Sequence, residues 1–324
     1  MWQTIGHSWV TDLLQHAIAT QRVGHAYLIT GPAHIGKATL AREFAAALVC
    51  SGAERPCGQC RACRQVAADA HPDVLAVAAQ DGTLKIDQVR DLQRDLALSP
   101  HSARYRIALL LDMHLATEEA GNALLKTLEE PASRAVLVLT ATDASMLLPT
   151  VISRCQTLAL RGVPAPTIAL ALQARNVAAP QAELLARLAA GRVGWALRAA
   201  ADSELLCQRT SDIDVLLRAL QGGRLERLRA AEALSDRERG ALPELANLGQ
   251  TLWRDVLFVA KDCEDLVVNL DRLDVLRHLA GQCTAEQAAA ACNSVDRLLE
   301  LLQQNVTAKQ AFEDMLLSWP VMAA

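Results

Sequence analysis

The run His25-Ala26-Tyr27-Leu28-Ile29-Thr30 is apolar enough to be a buried strand. It feeds directly into Gly31-Pro32-Ala33-His34-Ile35-Gly36-Lys37-Ala38, and then into an Ala-rich stretch with helical spacing to about residue 49. Strand, glycine-bounded loop and helix make the opening of a βα unit. The loop nearly fits G-x-x-x-x-G-K-S/T. Two readings stand: a plain strand–helix turn, or a phosphate loop. In a phosphate loop the glycines (Gly31, Gly36) let backbone N–H groups face phosphate oxygens, and the lysine (Lys37) reaches the β and γ phosphates. Ala38 stands where a Ser or Thr would ligate magnesium. Thr39 is one residue further, about 100° around the helix. Nucleotide binding therefore stays open, and magnesium-dependent hydrolysis is not expected.

Strand-like runs recur at Val74–Val77, Ile107–Leu111 and Ala135–Thr140, with helical patterns between them. Alternation of this kind implies an α/β domain with a parallel sheet. The fully apolar Ile107–Leu111 is expected to be a central strand covered on both faces. Ser8 is the expected N-cap of a first helix over residues 8–20. After about residue 160 the strands stop. Pro164 and Pro166 mark a linker, and the remainder reads as helices punctuated by Gly191, Gly194, Gly222, Gly223, Gly240 and Pro243. Val295, Leu298, Leu299, Leu302, Val306, Phe312, Met315 and Leu316 form a helical stripe with a break near Asn305-Val306-Thr307, as in the core of a bundle. The expected division is 1–160, 161–205 and 206–324. A composition of 52% hydrophobic but only 3% aromatic residues agrees with a largely helical chain built on Ala and Leu.

The strand Leu109-Leu110-Leu111 ends in Asp112, which is either a metal-side acid of a nucleotide site or an ordinary surface Asp. Met113 follows. A thioether cannot accept a proton, so a water-activating base is missing there. Cys50, Cys57, Cys60 and Cys63 are spaced C-x6-C-x2-C-x2-C. Four thiolates so close suit a tetrahedral structural zinc within a small insertion at 50–63. An iron–sulfur cluster is the rival reading, but the C-x3-C-P that would continue a ferredoxin run does not follow. Unligated thiols are the third.

Charge excludes one function class. The chain carries net −4, divided as −1 over 1–160, +2 over 161–205 and −5 over 206–324. A protein that only grips phosphate backbones is basic, and with two Tyr and three Phe this one has few rings for stacking on bases. No apolar run approaches the length of a membrane span, and the first residues lack a basic segment followed by an apolar one. A cytoplasmic protein is expected.

The stretch Asn122-Ala123-Leu124-Leu125-Lys126-Thr127-Leu128-Glu129-Glu130-Pro131 is long and specific, as is Ser153-Arg154-Cys155. With the four-Cys insertion and the strand ending in Asp112, they resemble the bacterial clamp-loader subunits of the AAA+ superfamily. The resemblance implies a RecA-like parallel sheet with a zinc-binding insertion, then a small helical lid domain and an all-α collar domain. Two branches share these motifs, the ATP-hydrolysing gamma/tau subunits and the delta prime subunit of DNA polymerase III. Ala38, Met113 and Gly194, the last in place of a nucleotide-sensing arginine with Arg192 two residues away, favour the delta prime branch; the gamma/tau type is the alternative. The resemblance then implies a stator without catalysis of its own, in a hetero-pentameric ring with gamma/tau and delta subunits. It would meet the sliding clamp indirectly and primer-template DNA through the ring. Arg154 would be an arginine finger acting in trans, or else a surface ion-pair residue. Lys126, Glu129 and Glu130 belong to the same coupling surface or to a solvated helix end. Arg90, Arg94, Arg104 and Arg106 are candidates for DNA phosphates, though solvated or structural roles suit most of them. His71 and His114 read as structural histidines.

Overall fold

The computed structural model describes residues 2–80, 82–237, 239–304 and 306–322. They divide into two compact units. The first runs through Ala171 and includes Gly191–Trp195; the second comprises Leu172–Ala190 and everything after Trp195.

The first unit alternates helices and strands: α1 (Ser8–Ala19), β1 (Ala26–Thr30), α2 (Lys37–Val49), α3 (Arg61–Ala67), β2 (Val74–Val77), α4 (Ile86–Leu96), β3 (Arg106–Leu110), α5 (Glu118–Glu129), β4 (Ala135–Ala141), α6 (Pro149–Ile152) and β5 (Gln156–Ala159). All strand pairs are parallel, in the order β2-β3-β4-β1-β5. The pleat sends alternate residues to opposite faces. Tyr27, Ile29, Ile107, Leu109, Val136 and Val138 enter one core with Val10, Leu14, Leu40 and Phe44 from α1 and α2. Leu28, Ala108, Leu110, Leu137 and Leu139 enter the other with Leu92, Leu96, Leu124 and Leu128 from α4 and α5. Each fully buried Leu, Ile or Phe contributes about 1.5–3 kcal/mol, so both faces of β1, β3 and β4 must stay covered. This arrangement brings the carboxyl ends of β1 and β3 side by side with that of β4, where a ligand crevice forms in open parallel sheets.

Several local expectations change. Ser8 is the first helical residue rather than the cap; His7 holds the cap position without a side-chain bond. The edge strand β5 was not foreseen, because only Leu158 of its four residues is buried and its apolar pattern is correspondingly thin. Pro166 and Pro243 do not interrupt helices. Each lies in a first turn, of α7 (Ala165–Gln173) and α12 (Leu242–Ala260), where the missing N–H has no intrahelical partner to lose. Gly194 likewise lies inside α9 (Val193–Ala201).

The second unit holds α8 (Ala179–Leu188), α10 (Ser203–Gln221), α11 (Arg224–Ser235), α12, α13 (Leu273–Gln282), α14 (Ala285–Gln303) and α15 (Ala308–Ser318). Its core gathers Leu252, Trp253, Val256, Val295, Leu298, Phe312, Met315 and Leu316, with Leu299, Leu302 and Val306 packed partly buried against it. Asn305, within the expected break, lies outside the described residues; α14 ends before it and Thr307 caps α15 through Gln310 N–H. The buried guanidinium of Arg227 donates to the carbonyls of Leu316 (2.9 Å), Trp319 (2.5 Å) and Pro320 (2.7 Å), tying down the chain beyond α15. No helix among the described residues is long and apolar enough to cross a membrane.

One buried acid organises the edge of the first unit. Asp73 is fully buried and accepts the N–H groups of His101 (2.5 Å), Ser102 (2.8 Å) and Ala103 (2.8 Å). Arg106 Nη1 lies 3.6 Å away. Burial works against the ionised form, but these donors and the Ser102 hydroxyl outweigh it and hold the carboxyl below its ordinary value. Because the folded value is the lower one, the stabilisation is complete above the unfolded carboxyl's pKa of about 3.9 and is lost as pH falls through the folded value. Asp73→Asn is expected to cost about 2 kcal/mol at neutral pH. In urea denaturation the gap from wild type should narrow as pH drops below about 4; a gap independent of pH would contradict this role.

Candidate nucleotide-site remnant, cysteine cluster and arginine

The turn after β1 has the shape of a phosphate loop. Gly31 takes φ +147°, and a Cβ there would stand 2.7 Å from the Leu160 carbonyl oxygen, so only glycine fits. Gly36, at φ +109°, is the residue before α2. Lys37 opens that helix, but its side chain turns back into the loop and is buried. Its Nζ donates to the carbonyls of Gly31 (2.8 Å) and Pro32 (2.9 Å). Burial pushes the ammonium's pKa down, and Asp112 nearby opposes the shift. The loop's own carbonyls thus supply acceptors for the cation that a phosphate loop offers to a nucleotide. Ala38 is half-buried against the core of α1 and α2 and has no hydroxyl; Thr39 is exposed.

The neighbouring strand ends complete the cluster. Asp112 follows β3 in a left-handed conformation (φ +56°), and its N–H donates to Thr140 Oγ1 on β4 (2.9 Å). The side chain of Asp112 is exposed, whereas Met113 is buried in the core of α4 and α5. A carboxylate in Met113's place would be aimed at hydrocarbon, not at water. His114 joins the group electrostatically. Burial lowers its pKa, Asp112 raises it and Lys37 lowers it further. Thr140 and the link between His114 and Lys37 were not foreseen, because nothing in the local sequence shows that β3 and β4 are neighbours.

Gly194 touches the same loop. Its N–H donates to the His34 carbonyl at 2.7 Å, and a Cβ on Gly194 would lie 2.8 Å from that oxygen. The backbone at 194 packs on the loop where a longer residue could not sit. Arg192, two residues earlier, is buried with its guanidinium over the Trp195 ring at 5.7 Å.

The four cysteines converge. Cys50 ends α2, Cys57 lies in the following turn, Cys60 caps α3 and Cys63 lies in its first turn. All four Sγ atoms fall within 4.8 Å of one another. Two of the separations are 4.0 Å (Cys57–Cys63) and 3.9 Å (Cys50–Cys60). A tetrahedron of about 2.3 Å Zn–S bonds has edges of about 3.8 Å, so the set fits one four-coordinate ion. Backbone N–H groups of Gly52 and Cys57 point at Cys50 Sγ, that of Cys60 at Cys57 Sγ and that of Cys63 at Cys60 Sγ. Such donors offset thiolate charge. Burial pushes the Cys63 thiol up to about 12, so a bound cation would have to displace its proton.

Arg154 follows α6, two-thirds buried. Nη1 donates to the Thr150 carbonyl (2.9 Å) and to Ser153 Oγ (3.2 Å), and Nη2 lies 2.5 Å from Glu129 Oε1 at the end of α5. Glu130 and Lys126 are exposed beside it, joined only through the Glu130 N–H on the Lys126 carbonyl in that last turn. Cys155 is partly buried, which pushes its thiol up to about 11.

The remaining candidates have local tasks. Arg90 and Arg94 are exposed on α4 and pair with Asp87 and Asp91 of the same helix. Arg104 stacks over Tyr105 at 5.5 Å. Arg106 faces Asp73. His71 is buried, and its Nδ1 accepts the Asp73 N–H at 3.1 Å.

The sheet order, the phosphate-loop turn after β1 and the helices on both faces define a AAA+ (RecA-like) module bearing a four-cysteine insertion. The family described as "DNA polymerase III, delta subunit" matches residues 6–164. DNA polymerase III subunit delta′ of Pseudomonas aeruginosa is 38% identical over 195 residues, covering 58% of this chain and 56% of that one. Subunit delta′ of Bacillus subtilis is 26% identical over 311 residues, covering 95% and 94%. Subunit tau of Bacillus subtilis is 34% identical over 154 residues, covering 47% of this chain. The chain spans 27% of that tau protein's length and 56% of the Pseudomonas protein's. Residues 6–164 of this chain are thus similar to DNA polymerase III subunits, and the similarity to delta′ of Bacillus subtilis extends over most of the chain's length.

Proposed function

We propose that this chain is a non-hydrolysing subunit of the delta prime type. In this reading it sits in a hetero-pentameric ring with gamma/tau and delta subunits, in the cytoplasm. It supports loading of the sliding clamp onto primed DNA, and it lends Arg154 to the ATP site of a neighbouring gamma-type subunit. Its parts are an AAA+ domain over 1–160, a lid over 161–205 and a collar over 206–324.

The observation that carries the reading is the backbone contact of Gly194 with His34. Position 194 is closed to any side chain by the loop itself, so no sensing arginine can occupy it. Two more losses fall on the same site. Ala38 provides no magnesium ligand, and Met113 is turned into the core. Phosphoryl transfer needs a metal-bound phosphate and a positioned water, and Ala38 and Met113 each remove one of the residues that would serve them, although Asp112 is kept. Arg154 keeps what an arginine finger needs, a permanently charged planar fork that is partly accessible and held by its own neighbours.

A gamma/tau-type ATPase is the second reading. The 34% identity to a tau subunit over the first half of the chain favours it. Hydrolysis separates the two. The purified chain is expected to show ATP turnover no higher than a Lys37→Ala control. Turnover well above that control would establish the ATPase.

We further propose that Cys50, Cys57, Cys60 and Cys63 hold one structural zinc that folds the 50–63 insertion. Metal analysis should find about one zinc per chain. Cys60→Ser should lose most of it and unfold the insertion first on heating. A full complement of iron, or none of either metal, would contradict the assignment.

A further inference from the structure

The cation assigned to a neighbour's phosphate is already engaged inside this chain. Two of the three acceptors around the Arg154 guanidinium are local: the Thr150 carbonyl and Ser153 Oγ. The third, Glu129 Oε1 at 2.5 Å, comes from another helix and is the one anion among them. Glu129 closes α5, and α5 packs directly on α6; a Cβ at Gly121 would stand 3.1 Å from Leu148 Cδ1. The pair therefore spans two elements held at a fixed spacing.

The pair is built to hold and to release. The side chains of Arg154 and Glu129 are 34% and 49% exposed. At such exposure water screens an ion pair strongly, so its net hold is weak. A phosphate group carries more charge and accepts both prongs of a guanidinium fork, which makes it the stronger partner. A single carboxylate at a half-exposed site orients the fork without trapping it.

We propose that Glu129 is the resident counter-anion of Arg154. It positions the guanidinium in the free chain and is displaced when the γ-phosphate of a neighbour's nucleotide arrives. The proposal rests on the finger reading of Arg154 and adds a competitor to it. Glu129 is a positioning residue. It touches no nucleotide, and its carboxylate must withdraw for Arg154 to engage. Neutralising it is then expected to favour engagement, opposite to what loss of a merely structural residue does.

The test compares wild type, Glu129→Gln, Arg154→Ala and the double variant, each assembled with a gamma-type ATPase subunit. ATP-dependent association and the KM for ATP are measured, with nucleotide-free association as the reference. Glu129→Gln is expected to tighten ATP-dependent association and lower KM by about two- to fivefold. It should leave nucleotide-free association unchanged and have no effect when Arg154 is already Ala. An unchanged or weakened association, or the same shift in the Arg154→Ala background, overturns the role of Glu129 while leaving the finger intact. If Arg154→Ala itself changes neither turnover nor ATP-dependent association, the finger reading falls, and the displacement falls with it.

Discussion

A buried ammonium must be surrounded by acceptors, and in this chain the acceptors of Lys37 are the carbonyls of Gly31 and Pro32. That requirement shapes the ends of three strands. The glycine at 31 brings the first carbonyl into range. The turn then presents the His34 carbonyl outward, where Gly194 N–H takes it. Asp112, fixed by Thr140 across β3 and β4, supplies the nearby negative charge. The loop thus satisfies its own buried lysine with its own backbone carbonyls.

The same unit keeps a second charged feature on a different edge. Arg154 and Glu129 stand at the α5–α6 contact, partly in solvent. The contrast in burial is the physical point. Lys37 is enclosed and satisfied by fixed carbonyls, which favours one arrangement. Arg154 is one-third exposed and held by two local acceptors and one screened anion, and it is the anion that can be exchanged. An enclosed, internally satisfied lysine in the loop and a partly accessible arginine on another edge are the contrast on which the proposed function rests.

Much of this was legible in the sequence because it is local. The β1 turn, the four-cysteine spacing and the central strands β3 and β4 each declare themselves within a dozen residues, through glycine placement, thiol spacing or unbroken apolar runs. The replacements Ala38 and Met113 are visible for the same reason, although that Met113 faces the core is a fact of the fold. What stayed hidden depends on distant segments meeting. Thr140 reaches Asp112 only because β4 lies beside β3. Glu129 reaches Arg154 only because α5 packs on α6. The need for glycine at 194 comes from the His34 carbonyl, far away in sequence. Edge strand β5 was missed for a different reason: with one buried residue it carries almost no apolar signal.

The central claim is that the chain completes a neighbour's active site. The most direct measurement is DNA- and clamp-stimulated ATP hydrolysis by a reconstituted loader containing either wild type or Arg154→Ala, with assembly of both verified by gel filtration. A guanidinium that offsets charge on the transferring phosphate is worth several orders of magnitude where it has been isolated. The account predicts a fall of at least about tenfold with assembly intact. Unchanged turnover in an intact assembly would contradict it and leave Arg154 as the surface partner of Glu129.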